Sequence, residues 1–263
     1  MARVLIGRRR MLSRVKITTL NSTPSTNDLS MGKTTEITNS SGQLPEIFWG
    51  SGSPFAWRVL MTAELKSVPF ESRRLQFSEK EHKAPAYLAI NERGEVPTLR
   101  DGNFVLTESL AIMTYLDAEY PDPPLFGRSS PATGLIWRWI SVFVYHFEPL
   151  ADRIIAPIFG GVLDASEDDI QVAAASLHSE LSRIEESVEG NLWLGGDSVS
   201  AADIIGHSDL EFLLRIVGRD EVKRLKLGYD DMEYRYPSIT AWRDRMTRVK
   251  GYDKAYPPHW RAS

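Results

Sequence analysis

The sequence predicts a small α/β domain followed by an all-helical domain, in a chain of 263 residues. Strand and helix patterns alternate from Pro45 to about residue 120, and such a mixture in a short segment indicates a mixed sheet. Strand patterns stop after "PDPPLFGRSSP" (121–131), whose Pro, Gly and Ser content is typical of a linker. Beyond this linker the apolar residues recur at helical spacing.

The elements of the first domain follow from local patterns. We predict a buried strand at "EIFW" (46–49), a helix at 55–65, a strand at 68–77, a turn with a short helix at 80–91, a hairpin at 96–106 and a helix at 107–120. The pair Asp101-Gly102 is a strong hairpin signal, because it suits the tight turn between two antiparallel strands.

The helical domain contains one clear apolar stripe and one clear helix start. The stripe is predicted to face the core and consists of Ile170, Ala174, Leu177, Leu181, Ile184 and Val188. The stretch "SAAD" (200–203) fits a capping box, in which Ser200 caps a helix and Asp203 reaches back to it. Another helix is predicted to begin in "YPSITAWRDRM" (236–246).

Composition excludes several classes of function. The net charge of −4 gives no argument for binding nucleic acid or an anionic membrane, and no apolar run has the length of a membrane span. The absence of cysteine excludes disulfides, thiolate zinc sites and a cysteine nucleophile, and it fits a reducing compartment. We expect no metal site.

The first 43 residues differ from the rest of the chain. The stretch "TTLNSTPSTNDLSMGKTTEITNSSGQ" (18–43) is rich in Ser, Thr and Asn and cannot bury enough apolar surface to fold, so we predict a disordered N-terminal extension at 1–43. Six basic residues precede the first acidic one, Asp28. This bias is typical of an organelle transit peptide. The alternative is that the start of translation has been assigned too early and that the working start is Met31.

A serine, Ser53, stands in "GSGSPFAWRVL" (50–60) where a turn meets a helix. Serine followed by proline is a good helix start, because serine caps and proline suits the first turn. A serine hydroxyl also has a proton that it can donate to an anion at the helix N-terminus. Both roles are open for Ser53, and the second predicts a site that stabilises a bound thiolate.

Four motifs in order, "SPFAWRVL", "NERGEVPTL", "LTESLAIMTYL" and "SAAD", resemble the soluble glutathione transferases, closest to the serine-type theta and zeta classes. The resemblance covers residues 46 to about 250. It implies a thioredoxin-like glutathione-binding domain at 44–124 with a mixed four-stranded sheet, and an all-helical bundle domain at 131–253. It also implies a cytoplasmic homodimer that uses glutathione as co-substrate, with no cofactor.

The resemblance also implies the roles of individual residues. Ser53 is the catalytic residue that holds the glutathione thiolate, and Val96-Pro97 is a cis pair whose backbone meets the cysteinyl unit. The remaining glutathione-binding candidates are Phe55, His82, Glu95, Glu108 and Ser109. His82 is expected near the glycyl carboxylate. Glu95 departs from the family pattern, as does Glu92, and both put glutathione affinity in doubt.

The second substrate is expected between the domains, in a pocket that includes Phe55, Arg138, Tyr145 and His146. The predicted reaction is attack of the glutathione thiolate on an electrophilic small molecule. Isomerisation of the maleylacetoacetate type, dehalogenation and ether cleavage are alternatives within this chemistry. A different class of function, a non-catalytic assembly module of the same fold, is favoured by Glu92 and Glu95 and opposed by Ser53.

Overall fold

A computed structural model describes residues 43–261, apart from the side chain of Ala165. The strands are β1 Glu46–Gly50, β2 Glu71–Leu75, β3 Thr98–Asp101 and β4 Phe104–Thr107. The helices are α1 Pro54–Lys66, α2 Pro85–Leu88, α3 Ser109–Glu119, α4 Ser130–Val142, α5 Glu148–Gly160, α6 Glu167–Val188, α7 Ala201–Val217, α8 Asp220–Lys223, α9 Met232–Arg235, α10 Pro237–Met246 and α11 Tyr252–Ala255. The predicted disorder and targeting of the N-terminal extension concern residues 1–42, which lie outside the described residues.

The four strands form one mixed sheet in the order β2-β1-β3-β4. β1 runs parallel to β2, since helix α1 crosses over between them, and β3 runs antiparallel to both β1 and β4. The hairpin predicted around Asp101-Gly102 joins β3 to β4. The predicted fold class, a thioredoxin-like mixed sheet followed by helices, is confirmed.

Strand β2 is shorter than the predicted 68–77 and its side chains are largely exposed. It lies at the edge of the sheet, which explains the two arginines that weaken its alternation. Arg73 of β2 and Arg100 of β3 both donate to the carboxylate of Glu46 on β1, at 2.8 and 2.5 Å. This carboxylate therefore links three neighbouring strands.

Helix α1 connects the sheet to the helical region. Its buried face packs on α3, and it also contacts α7 and α11 of the helical region. Trp57 is buried in the aromatic cluster formed with α11 and the C-terminal turn. The domain limits 44–124 and 131–253 stay a prediction, because the helices on both sides of the linker pack together.

A π-helical segment, Phe143–Phe147, separates α4 from α5 without a break in the chain. It buries Phe143 and Phe147, whose ring centroids are 5.7 Å apart. Gly206 on α7 makes room for Phe143, because a Cβ at that position would lie 2.3 Å from the ring.

The apolar stripe of α6 is buried along its whole length, as predicted. None of the helices within residues 43–261 combines the length and hydropathy needed to cross a membrane.

Asp203 is a buried carboxylate that holds three parts of the helical region together. It accepts hydrogen bonds from the backbone and hydroxyl of Ser200, at 2.9 and 2.7 Å, which completes the predicted capping box. It also accepts from the Leu194 backbone at 2.8 Å and from the Trp242 indole at 2.9 Å. Asp203 therefore fixes the loop before α7, the start of α7 and helix α10.

The substitution Asp203→Ala is expected to lower the free energy of unfolding by about 3 kcal/mol or more, since buried donors lose their acceptor. For a domain of this size that corresponds to a fall in Tm of roughly 6–12 °C. Asp197→Ala removes an exposed carboxylate from the same loop and serves as the control. Equal Tm values for the two variants in a calorimetric scan would contradict the role of Asp203.

Candidate functional site

Ser53 is the N-cap of α1. Its hydroxyl oxygen accepts a hydrogen bond from the Ala56 backbone at 3.2 Å, and Pro54 occupies the first helical position. Its own backbone N–H donates to Gly50 at 3.2 Å, which closes the turn after β1. The cap uses an oxygen lone pair and leaves the hydroxyl proton for another acceptor. An anion beside Ser53 is also favoured by the helix dipole.

A polar hollow of about 130 Å³ lies on one side of α1. Its lining residues are Phe55, Asn91, Arg93, Glu95, Val96, Pro97, Thr107, Glu108 and Ser109. The structure therefore brings most of the predicted glutathione-binding residues into one place. The Val96-Pro97 peptide bond in this lining is cis, as the resemblance implied.

The loop before β3 is fixed by hydrogen bonds to the backbone carbonyl of Glu95. The hydroxyl of Tyr87 donates to it at 2.5 Å and the side-chain amide of Asn91 at 2.9 Å. Both side chains also contact the hydroxyl of Thr98, at 2.8 and 3.1 Å. Asn91 and Tyr87 are buried, so this network holds Val96 and Pro97 at the rim of the hollow.

Glu108 and Ser109 lie where β4 ends and α3 begins. Glu108 has a φ of 69°, a conformation that a non-glycine residue seldom adopts. Its exposed carboxylate lies 3.6 Å from the guanidinium of Arg93, across the hollow. Ser109 is buried at the first position of the helix. The hollow thus offers one cation, two carboxylates and a helix N-terminus.

A larger aromatic cleft of about 870 Å³ contains Ser53 itself. Its lining residues are Ser51, Gly52, Ser53, Pro54, Phe55, Phe77, Phe159, Phe212, Leu214, Arg215, Ile216, Gly218, Arg219, His259 and Trp260. Phe55 is 43% exposed and lines both the hollow and this cleft. The structure therefore places Ser53 in a cleft whose other walls are largely aromatic.

The C-terminal turn, Pro258–Trp260, forms a wall of the aromatic cleft. Nδ1 of His259 lies 2.6 Å from the hydroxyl of Ser51, and its ring packs on Gly52, where a Cβ would lie 2.9 Å away. Trp260 packs edge-on against Trp57 of α1, with ring centroids 5.4 Å apart. The predicted helical domain ended at residue 253, so sequence analysis missed this wall.

A second compartment, the acidic compartment, adjoins the cleft and has a volume of about 470 Å³. Its lining residues are Pro54, Phe55, Val144, Phe147, Glu148, Pro149, Ala151, Asp152, Ile155, Asp209 and Phe212. Arg58 of α1 is buried behind it, and its Nη2 donates to Asp209 at 2.5 Å and to Glu148 at 3.0 Å. Burial raises the pKa of Asp209, against the opposing effect of Arg58.

Three residues predicted for the second-substrate pocket lie elsewhere. Arg138, Tyr145 and His146 are exposed and line neither the aromatic cleft nor the acidic compartment. The helix face toward the compartment follows ordinary helical spacing, and Tyr145 and His146 lie outside that face. The residues on it are Val144, Phe147, Glu148, Ala151, Asp152 and Ile155. Arg138 lies over Trp139, 4.8 Å from its ring centroid.

His82 is also not brought to the polar hollow. It belongs to a short 3-10 turn, and its ring packs edge-on against Phe77, with centroids 5.0 Å apart. Phe77 lines the aromatic cleft. Arg93 is the basic residue that lines the hollow. Within residues 43–261, no three His, Asp or Glu side chains are grouped as a metal site.

Three comparisons with known proteins agree with the fold. Residues 52–119 match the family model for the N-terminal domain of glutathione S-transferase. The chain is 28% identical over 221 residues to glutathione S-transferase theta-2B of Homo sapiens, covering 81% of this chain and 85% of that protein. It is 29% identical over 201 residues to glutathione S-transferase F9 of Arabidopsis thaliana, covering 73% of this chain and 91% of that protein. A glutathione S-transferase structure from the clam Laternula elliptica aligns with a TM-score of 0.68 at 25% identity, covering 84% of this chain and 95% of that chain.

The pKa of His259 lies below its ordinary value, because the ring is desolvated and because Arg215 and Arg74 disfavour its charged form. Replacing Arg74 by Gln removes one of these positive charges, so the pKa of His259 is expected to rise. A proton NMR titration of the ring measures it. Arg183→Gln, a loss of positive charge on α6, is the control, and a His259 midpoint unchanged by Arg74→Gln would contradict the assignment.

Proposed function

Because the chain belongs to the glutathione transferase superfamily, we propose that it activates the thiol of glutathione for attack on an electrophilic small molecule. The observation that carries this proposal is the hydroxyl of Ser53. It lies at the N-terminus of α1, in the wall of the aromatic cleft, with its proton not used by the cap. The serine-type and theta-like assignment follows from this residue and from the similarity to the human theta protein.

A hydrogen bond from the Ser53 hydroxyl supplies most of the free energy needed to stabilise the glutathione thiolate. A free thiol has a pKa of about 8.5 and is mostly protonated at neutral pH. Lowering its pKa by about two units corresponds to roughly 2.7 kcal/mol in favour of the thiolate. A hydrogen bond to a charged group contributes about 1.5–3 kcal/mol, and the helix dipole adds to it. Ser53 stabilises the thiolate and forms no bond to either substrate.

Glutathione is assigned to the polar hollow. In this proposal the backbone of Val96 pairs with the cysteinyl unit like a short added strand. Ser109 and the N-terminus of α3 receive the γ-glutamyl carboxylate, and Glu108 faces the ammonium group. Arg93 lies 3.6 Å from Glu108, so it joins Ser109 in binding the γ-glutamyl carboxylate and does not replace His82 at the glycyl end. Phe55 lines both cavities and so contacts both glutathione and the second substrate.

The reaction joins the two sites at Ser53. The thiol loses its proton to solvent, and the thiolate sulfur attacks an electrophilic carbon held in the aromatic cleft. A carbon–sulfur bond forms, and in a substitution the leaving group departs with the electron pair of the bond that breaks. Isomerisation, dehalogenation and ether cleavage use the same thiolate, so Ser53 serves each of them.

A homodimer in the cytoplasm is part of the proposal. Exposed apolar side chains lie on β4, at Phe104 and Val105, and on α4, at Leu135 and Trp137. Such side chains favour burial against a second copy of the chain.

Ser53→Ala is expected to lower kcat/KM for a benzyl halide by about ten- to a thousandfold, or roughly 1.4–4 kcal/mol. The ultraviolet absorbance of the bound thiolate should weaken in parallel, while the protein is still retained on immobilised glutathione. Steady-state kinetics between pH 6 and pH 8 give the measurement.

Ser129→Ala is the matched control for Ser53→Ala. Ser129 is the N-cap of α4, and its hydroxyl likewise accepts from the third residue after it. The control loses a serine cap away from the cleft, and its kcat/KM is expected to stay near that of the wild type. Full activity of Ser53→Ala would show that Ser53 is only a helix cap.

Glu95→Gln is expected to tighten glutathione binding by up to about tenfold. The carboxylate of Glu95 and the glycyl carboxylate of glutathione carry like charges. At about 5 Å apart and an effective dielectric of about 20 they repel by roughly 3 kcal/mol, and exposure to solvent reduces this repulsion. The gain should be larger at low salt than at high salt. Calorimetric titration measures it, with Glu92→Gln as the control in the same loop but outside the lining. Weaker binding by Glu95→Gln would show that this carboxylate assists the ligand.

A further inference from the structure

The acidic compartment contains carboxylates that thiolate activation does not use. Three of its lining residues are acidic, namely Glu148, Asp152 and Asp209, and its lining includes no lysine, arginine or histidine. Arg58, buried behind it, contacts two of them. One guanidinium among three carboxylates leaves negative charge in excess at this cavity.

Asp209 is the buried member of this group. Its side chain is 5% exposed, and its Oδ1 accepts from Arg58 at 2.5 Å. Its Oδ2 is buried and has no hydrogen-bond partner among the residues that the structure describes. A buried carboxylate oxygen without a donor carries a desolvation cost that a ligand donor would remove. The wall of the compartment therefore contains one carboxylate oxygen that no donor from the described residues satisfies.

Aromatic rings complete the surroundings of the carboxylates. Phe147 and Phe212 line the compartment together with Phe55. Aromatic faces attract alkylammonium groups, and this attraction is strongest where water is excluded. Carboxylates beside aromatic rings thus suit an organic cation better than a neutral apolar group.

The compartment is continuous with the place where the reaction is proposed. Pro54, Phe55 and Phe212 line both the acidic compartment and the aromatic cleft. The aromatic cleft itself is lined by Arg215 and Arg219 and by no carboxylate of the described residues. A molecule that occupies both cavities meets carboxylates in the compartment and Ser53 in the cleft.

We propose that the acidic compartment is a subsite for the cationic group of the second substrate, an electrophile that carries a protonated amine or a quaternary ammonium group. This inference rests on the proposed function for the identity of the reaction, and only the charge recognition is new. Asp209 and Asp152 bind the cation, and the electrophilic carbon lies in the aromatic cleft.

The test uses benzyl chlorides that differ only in their para substituent: trimethylammoniomethyl, its neutral isostere neopentyl, or anionic sulfonatomethyl. Each reaction forms a carbon–sulfur bond, breaks the carbon–chlorine bond and releases chloride with the electron pair. The full chain is expected to show a kcat/KM at least about tenfold higher for the cation than for the neutral isostere. Chloride release measures the rate.

Variants show which carboxylates cause the preference for the cationic chloride over its neutral isostere. Asp152→Asn is expected to reduce the ratio of the two kcat/KM values severalfold, and Asp209→Asn to reduce it further. Asp152 is exposed, so its variant tests the subsite even where Asp209→Asn fails to fold. Asp244→Asn, an exposed substitution on α10, is the control and should keep the wild-type ratio.

A calorimetric titration with the unreactive benzyl alcohols that carry the cationic and neutral substituents separates binding from turnover. Tighter binding of the cationic alcohol, lost in Asp152→Asn, supports the subsite whatever the rates are. Equal binding of the two alcohols overturns it, as does a kinetic preference for the sulfonate, which would assign recognition to Arg215 and Arg219. If the protein turns over none of the three chlorides, the proposed transfer reaction is contradicted. The titration with the alcohols then decides whether the subsite exists.

Discussion

The guanidinium of Arg58 is buried on the same helix that Ser53 caps, and a buried charge must be matched by its surroundings. The match is made by carboxylates from two other helices, Glu148 at the start of α5 and Asp209 on α7. Removing one partner of such a group typically costs about 3–5 kcal/mol, because the other charge is left alone. This ion pair therefore fixes α1 against the helical region and holds Ser53 at the wall of the cleft.

The carboxylates that pair with Arg58 also line the acidic compartment. Phe55 extends from α1 with the guanidinium of Arg58 4.8 Å from its ring centroid, and it borders all three cavities. Arg215 and Arg219 line the aromatic cleft, so the two cavities differ in the charge of their walls. A buried arginine that needs anionic partners thus shapes the environment of the second substrate as well as the packing of the helices.

The features that sequence patterns predicted are local. A cap, a hairpin turn and an apolar stripe each depend on residues within a few positions of one another, which is why Ser53, Asp101-Gly102 and the stripe of α6 are found where the patterns place them. The capping box at Ser200 was predictable for the same reason, whereas the bond from Trp242 to Asp203 was not. The polar hollow required the resemblance, since its lining comes from separate loops.

The features that were missed depend on distant contacts or on a helix face that the apolar pattern does not single out. His259 meets Ser51 across 208 positions, and no periodicity in "PPHW" indicates this partner. In "WRWISVFVYHF" apolar and aromatic residues fall on every side of the helix, so their pattern does not single out the face of Val144 and Phe147 that lines the compartment. Both errors concern the second-substrate side of the site, where the walls come from the helical region and the C-terminal turn.

Ser53 shows how one side chain serves the fold and the chemistry with different atoms. Its oxygen accepts the Ala56 backbone and begins the helix, and its proton is available to the thiolate. A carboxylate in its place would cap the helix but repel the thiolate, and a residue that only donates would leave the helix uncapped. A hydroxyl meets both requirements at once. The requirement for a cap and the requirement for a donor therefore converge on serine at this position, in a chain that has no cysteine to supply a thiolate of its own.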